Sequence, residues 1–353
     1  MSAASSTAVR SAIFALGLLV ACGGNDGAAP DSGAILPDAA VLEVGGGSDA
    51  GAPRVPDIQC PDDPDPGPAG SFNHLTSEAI SALGDPVHRG FDLAAGEGID
   101  PQIIAGAISY TVADKALEDE DVDVFACTPT GWQSLGTATT DDEGGFSISL
   151  AGAARLPLGL RDMFVSVVGD RTSARFLAYV APDGSRVLVS DVDGTLTSSE
   201  DAFFETIALG IEPDMQPNAS AAYSIAASRG VVPVFVTARG QQYTQDTRDW
   251  LAANQFPRGP LRLSPSFVTL PGGDTVAFKE AAFAGITGAN LAIAVGVGNR
   301  ASDVTAYQAA GVPAADTFVK LPEYQSELQD DLDSGMAIGF TDYADLEATF
   351  GAL

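Results

Sequence analysis

Histidine is almost missing from this chain: of 353 residues only His74 and His88 are histidine, and both precede the alternating strand and helix pattern that starts near residue 186. Triads with a histidine base and histidine-rich zinc sites are therefore disfavoured for that later segment. Basic residues are scarce too, 17 Lys and Arg against 47 Asp and Glu, for a formal net charge of −30. So acidic a chain argues against nucleic acid as a partner and against broad electrostatic docking on an anionic membrane. An anionic substrate has to be held by a local cluster of cations.

The apolar run over residues 12–21 follows Arg10 and is too short to span a bilayer. It has the build of a secretory signal. The four residues Leu19-Val-Ala-Cys22 resemble a bacterial lipoprotein box. On that reading residues 1–22 are a signal peptide, Cys22 is the lipidated mature N-terminus, and the protein is exported and lipid-anchored at the bacterial cell envelope, facing the periplasm or the outer membrane. An ordinary cleaved signal is the alternative. Disulfides persist in such a compartment, and Cys60 and Cys127 are then the one pair available, with pairing left open.

Residues 23–70 hold 10 Gly, 8 Pro, 9 acidic residues and a single base, Arg54. Such a composition cannot bury enough apolar surface to offset its ordering entropy, so the segment is expected to be a disordered tether. From about residue 85 the texture changes to short strand-like runs: 103–111, 122–127, 132–138, 146–150, 163–168 and 174–180. Turn chemistry separates them at Asp141-Asp-Glu-Gly-Gly145 and Pro182-Asp-Gly184. The spacing predicts a small β-sandwich over 71–185 with no catalytic constellation of its own.

Past residue 186, strands alternate with helical stretches, which predicts an α/β domain with a parallel sheet over 186–353. Expected strands are 186–190, 231–236, 291–295 and, last, 317–319; expected helices are 221–228 and 241–254. Pro233 is an irregularity in its strand. Directly after the first of these strands comes Asp191-Val-Asp-Gly-Thr-Leu-Thr-Ser-Ser-Glu200. Asp191 thus falls at a carboxyl strand end, where open α/β sheets place ligands. Asp191 and Asp193 lie on one side of an extended chain, and Gly194 permits a sharp turn behind them. Like charges this close repel unless a cation or a shared proton lies between them. The pattern points to a magnesium site with a nucleophilic carboxylate, against the bland reading of a solvated Asp/Gly turn.

Downstream stand Thr237 and Arg239 in Val236-Thr-Ala-Arg239, a hydroxyl and a guanidinium suited to phosphate oxygens. Lys279 follows in Phe278-Lys-Glu280. Asn299, Arg300 and Asp303 lie in Gly296-Val-Gly-Asn-Arg-Ala-Ser-Asp303, whose amide and carboxylate suit an oxygen-ligand magnesium shell. In this order the motifs resemble those of the haloacid-dehalogenase phosphohydrolase superfamily. The run 256–265, the lysine of 278–280, residues 298–307 and Gly311-Val-Pro313 resemble the catalytic domain of lipins, the magnesium-dependent phosphatidate phosphatases. A second resemblance reaches further forward. His88-Arg-Gly-Phe-Asp92, Pro101-Gln-Ile-Ile104, Val122-Asp-Val-Phe125, Thr140-Asp141 and Val167-Val-Gly-Asp170 are similar to the C-terminal part of membrane-associated phosphatidylinositol-transfer proteins. There the lipin-like domain has lost its catalytic aspartates and binds phosphatidate.

These resemblances imply a Rossmann-like parallel sheet of haloacid-dehalogenase type. A large cap is not expected, since only a short stretch separates the first motif from the helix near 221. They imply Asp191 as nucleophile and Asp193 as general acid and base. Magnesium would be held by Asp191, Asp193 through its carbonyl, and Asn299 or Asp303. Thr237, Arg239, Lys279 and Arg300 would hold phosphate. The expected partners are phosphatidate or another phosphomonoester, and a membrane through the N-terminal anchor. The competing expectation is a non-catalytic phosphatidate-binding module. Residues 191–353 carry 8 bases against 21 acids, so Arg239, Lys279 and Arg300 must make a cationic pocket inside an acidic domain.

Overall fold

The computed structural model describes residues 54–111, 113–200, 213–266 and 273–353. The signal peptide, Cys22 and the tether up to residue 53 lie outside the described residues, as does 201–212, within the interval read as too short for a large cap. The folded chain runs through β1 (Asp57–Ile58), β2 (Arg89–Phe91), β3 (Leu93–Gly96), β4 (Gln102–Ala107), β5 (Ser109–Tyr110) and β6 (Lys115–Ala116). It continues through β7 (Asp121–Thr128), β8 (Gly131–Thr139), β9 (Gly145–Leu150), β10 (Gly159–Val167) and β11 (Ser173–Ala181). One sheet has the order β3-β11-β10-β7-β8, with β1 on β10, and a second has the order β2-β4-β9. Between them lies an apolar core that includes Ile104, Val122, Val124, Phe146, Met163, Val165 and Phe176. Alternate residues of β7 and β9 turn inward, as a strand with one solvated face requires.

The second half is an α/β unit. Its strands are β12 (Arg186–Ser190), β13 (Val232–Gly240), β14 (Leu261–Ser264), β15 (Ala292–Gly298), β16 (Thr317–Lys320) and β17 (Ile338–Phe340). They form one all-parallel sheet in the order β14-β13-β12-β15-β16-β17. The central strands read as continuous apolar runs because both faces are covered. Pro233 fits because β14 pairs with β13 only from Phe235 onward, so at Pro233 only β12 is paired alongside.

Several sequence expectations are revised. Thr317-Phe-Val319 is not the last strand, because β17 follows it on the sheet edge. The stretch 241–254 opens as a 3₁₀ turn, Gln241–Tyr243, before the α-helix Thr244–Ala253. The end of the tether is structured as well: β1 pairs with β10, and Cys60 is buried and bonded to Cys127. Trp132 Nε1 donates to the Asp62 carbonyl at 2.6 Å, and Arg258 pairs with both Asp57 and Asp162. Residues 54–63 fold because they borrow the apolar and polar surface of the strands beneath them. The disulfide closes a loop between residues 67 apart. Replacing both cysteines by serine is expected to cost about 2–4 kcal/mol in chemical denaturation.

Each half has a core of its own, and a third apolar cluster crosses the boundary near 185. Leu160, Leu177 and Tyr179 of the first half pack with Val187, Val234, Phe283 and Tyr307 of the second. Asp92 adds a polar pin. Its fully buried carboxylate accepts from Leu177 N and Leu261 N, both at 2.7 Å, and from Arg248 Nη2 at 2.9 Å.

The neighbouring His88 is buried, accepts from Ser109 N through Nδ1, and lies 2.8 Å from Thr172 Oγ1 through Nε2. Burial pushes its pKa down from 6.5 to about 4. A depressed histidine contributes stability that is fully present above its unfolded pKa and is lost as pH falls through the folded one. Between pH 6.5 and about 4 the loss from this residue should reach up to about 3 kcal/mol. Guanidinium unfolding at both ends of that window should show a shallower pH slope for His88→Gln than for the parent.

Candidate functional site

Three adjacent parallel strands deliver the site. In the order β13-β12-β15, the chain leaves β12 toward β13 on one side and returns to it through β15 on the other, so the crevice at the β12 and β15 ends is a topological switch point. Asp191 and Asp193 follow β12, Thr237 and Arg239 end β13, and Asn299 follows β15. The helix Gly273–Gly288 buries Thr275, Lys279, Phe283 and Ile286 along one stripe, so Lys279 is carried inward on the apolar face. Buried tyrosines support the turns: Tyr343 Oη donates to the Thr195 carbonyl at 2.9 Å, and Tyr307 Oη to the Val297 carbonyl at 2.8 Å.

Lys279 Nζ donates to Asp191 Oδ1 at 2.8 Å and to Asp303 Oδ1 at 2.5 Å. Asp303 stands in the first turn of the helix Ala301–Ala309, and its Oδ2 accepts from the backbone N–H groups of Asn299 and Arg300, both at 3.1 Å. Both Asp303 oxygens are thus engaged, one holding Lys279 and one holding the helix start. Asp193 has different neighbours. It accepts from Arg239 Nη2 at 2.6 Å, from Arg239 Nε at 2.9 Å and from Thr237 Oγ1 at 3.0 Å. Arg239 also donates to Thr247 Oγ1 at 3.0 Å.

Thr237 and Arg239, read from the sequence as phosphate contacts, are therefore engaged by Asp193. Arg300 lies at the rim, clamped by Glu327 at 2.9 Å, with its guanidinium 3.8 Å over the Tyr324 ring.

Two further residues belong to this cluster, and sequence reasoning did not single them out. Thr195 Oγ1 lies 3.2 Å from Asp191 Oδ2 and 3.2 Å from Asn299 Oδ1. Glu200 Oε2 accepts from Asn299 Nδ2 at 2.9 Å. Both stood in the stretch around Asp191, and the only available signal was their closeness in sequence to its carboxylates. Burial pushes the Asp191 carboxyl up to about 7; Asp303 and Asp193 add to the rise and Lys279 opposes it. Burial, then Asp191, pushes Glu200 up to about 8. Burial disfavours the charged form of Lys279, but Asp191 and Asp303 outweigh it and hold the ammonium above its ordinary value.

Among the described residues no group of three or more His, Cys, Asp or Glu side chains is placed to hold a metal ion. Magnesium does not need such a cage, because it keeps several waters and takes one or two carboxylates. The donor chemistry fits it. One hydroxyl proton of Thr195 cannot satisfy both Asp191 Oδ2 and Asn299 Oδ1, so hard oxygen atoms with spare lone pairs converge beside raised carboxyls.

Fold and site together define a mixed α/β protein with a parallel sheet, a carboxylate-centred site at its strand ends, and a strand-rich region before it. Comparison with known proteins agrees on both halves. The family described as PITM 1-3, beta-sandwich domain, matches residues 86–180, and that described as PITM 1-3, LNS2 domain, matches residues 188–320. The chain is similar to membrane-associated phosphatidylinositol transfer protein 3 of Mus musculus, 26% identical over 253 residues, covering 69% of this chain and 24% of that protein. It is similar to membrane-associated phosphatidylinositol transfer protein 2 of Homo sapiens, 29% identical over 188 residues, covering 52% and 13%. It is also similar to protein retinal degeneration B of Drosophila melanogaster, 26% identical over 194 residues, covering 54% and 15%. The chain spans about a quarter or less of the length of these relatives.

Proposed function

We propose that this chain is a magnesium-dependent phosphatase of haloacid-dehalogenase type that acts through an aspartyl-phosphate on phosphatidate or a related phosphomonoester. The observation that carries the proposal is the division of labour between two neighbouring carboxylates. Asp191 is buried against Lys279, whereas Asp193 is held apart by Thr237 and Arg239. The Lys279 ammonium beside Asp191 favours the ionised form a nucleophile needs, and the separate contacts of Asp193 leave it for the acid-base role.

In the first step a carboxylate oxygen of Asp191 attacks phosphorus, the ester P–O bond breaks, and the leaving oxygen takes the proton of Asp193. In the second, water attacks the same phosphorus and gives its proton to Asp193. The bond from phosphorus to Asp191 then breaks and inorganic phosphate leaves. Lys279 is placed to offset negative charge gathering on the phosphoryl oxygens. Arriving phosphate would compete with Asp193 for Thr237 and Arg239, loosening the pair as the acid is needed. Asp191, the Asp193 carbonyl and the Asn299 side-chain oxygen would hold magnesium, with Asp303 anchoring Lys279. The ion supplies charge screening between nucleophile and phosphate.

A second reading, a non-catalytic phosphatidate-binding module, is favoured by the likeness to phosphatidylinositol transfer proteins. Phosphate release from phosphatidate, lysophosphatidate and soluble phosphomonoesters, with and without magnesium, separates the two. Magnesium-dependent release supports the phosphatase; none from any substrate, with phosphatidate vesicles still bound, supports the module. Anchoring at the cell envelope through Cys22 is part of the same proposal. Cys22→Ser is expected to move the protein out of the detergent phase or block its maturation, and full solubility of the unaltered protein would end that part.

A further inference from the structure

We infer that Glu200 is a positioning residue, which fixes the side-chain amide of Asn299 so that its oxygen, rather than its nitrogen, faces Asp191. The inference rests on the magnesium reading above and extends it to a residue outside the ligand set.

An asparagine amide has two ends of nearly equal shape and opposite hydrogen-bonding character, so sterics alone do not choose between its two orientations. Asn299 is fully buried. Its Nδ2 donates to Glu200 Oε2 at 2.9 Å, which leaves Oδ1 directed at Thr195 Oγ1, itself 3.2 Å from Asp191 Oδ2. With Glu200 ionised and the amide turned over, Oδ1 would meet the Glu200 carboxylate oxygen, lone pair against lone pair. The NH₂ group would then face the oxygen-rich pocket and repel a cation there. Glu200 has the fixed position such a role requires. Its backbone N–H donates to Glu323 Oε1 at 3.2 Å, and its Oε1 lies 3.6 Å from Arg300 Nη1. Arg300 is held in turn by Glu327.

Gly194 shows how closely the pair is seated. A Cβ on it would lie 2.1 Å from Asn299 Nδ2 and 2.9 Å from Glu200 Oε2, and its φ is +67°. The glycine of the Asp-x-Asp-Gly turn thus provides both the bend and the space into which the Asn299 amide docks. Partners that orient a metal ligand's far side typically matter nearly as much as the ligand.

The test uses the full chain and magnesium titrations read by thermal shift, so it does not depend on turnover. Glu200→Ala is expected to weaken apparent magnesium affinity by about 10- to 100-fold. Glu200 Oε1 faces Arg300 Nη1, so in Glu200→Gln the side-chain oxygen takes that place and an NH₂ group meets Asn299; this variant is expected to weaken magnesium binding as the alanine one does. An alanine variant that binds magnesium like the parent overturns the inference. So does a glutamine variant that binds magnesium like the parent, because an acceptor-only partner would then not be needed.

A parent that does not respond to magnesium at all would sink the magnesium reading. The orientation is then read from the Asn299 side-chain amide by NMR in metal-free protein. One Nδ2 proton is expected downfield in the parent and moved in Glu200→Ala and Glu200→Gln; identical signals in parent and Glu200→Ala overturn the inference.

Discussion

Asp193→Asn is expected to abolish magnesium-dependent phosphate release while leaving phosphate binding within a few-fold of the parent. The substitution keeps the size of the side chain and leaves the backbone carbonyl assigned to magnesium in place. On the proposed mechanism it removes the proton that the leaving oxygen takes, and loss of a positioned general acid costs about 100- to 10,000-fold in rate. Binding should suffer little. Asp193 holds Arg239 and Thr237, so on the proposed reading a neutral amide there weakens a competitor of phosphate and removes no phosphate contact. The same argument makes Lys279→Ala a poor probe of binding. Lys279 is buried between Asp191 and Asp303, and removing it strands two buried carboxylates, at a cost of about 3–5 kcal/mol in stability. Turnover by Asp193→Asn near the parent rate would remove Asp193 from the acid-base role. A parent that releases no phosphate from any substrate, yet binds phosphatidate vesicles, would replace the phosphatase with the binding module.

The site residues that stand in one short motif were legible in the sequence because the chemistry is local: Asp191 and Asp193 need only a strand before them and a glycine after. The order of Thr237, Lys279, Asn299 and Asp303 was legible as order, since strand ends in a parallel sheet bring such residues to one edge. Their partners were not. A guanidinium takes a carboxylate as readily as a phosphate, so the sequence around Arg239 cannot say that Asp193 holds it. Short edge strands escaped for another reason. β14 has four residues among Pro and Gly, and β17 has three, Ile338 exposed among them, too few for a period to show. β1 lies in a stretch whose composition reads as disorder, and it becomes ordered through β10 and the Cys60–Cys127 bond. The run His88-Arg-Gly-Phe-Asp92 carried the likeness to phosphatidylinositol-transfer proteins without revealing its use. Arg89 pairs with Asp114 at 2.7 Å, and a Cβ on Gly90 would lie 2.1 Å from the Phe176 ring, so the motif builds structure rather than a site.

Asp92 is where that structural use is largest, and Asp92→Ala is expected to destabilise the protein by about 3–5 kcal/mol, the usual cost of breaking a buried ion pair by removing one partner. Its carboxylate reaches Leu177 N on β11, Leu261 N on β14 and Arg248 on the helix Thr244–Ala253. Deleting it leaves two backbone N–H groups and a guanidinium without that acceptor, and among the described residues Arg248 Nε already has no hydrogen-bond partner. An unmet buried donor costs about 1–3 kcal/mol. Asp92→Asn should cost less, because one oxygen still accepts, although its NH₂ then faces a donor. Asp100 is the control: it is exposed and pairs with a partly exposed Arg155 at 3.7 Å, and such surface pairs contribute about 0–1 kcal/mol. Chemical denaturation of Asp92→Ala and Asp100→Ala side by side checks the comparison. Because Leu261 pairs with Phe235 and Leu263 with Thr237, loss of the pin should also loosen the strand that carries Thr237 and, on the proposed reading, lower phosphate affinity without touching Asp191 or Asp193. Equal, small losses in the two variants would mean that the apolar core shared by the two halves holds them together unaided.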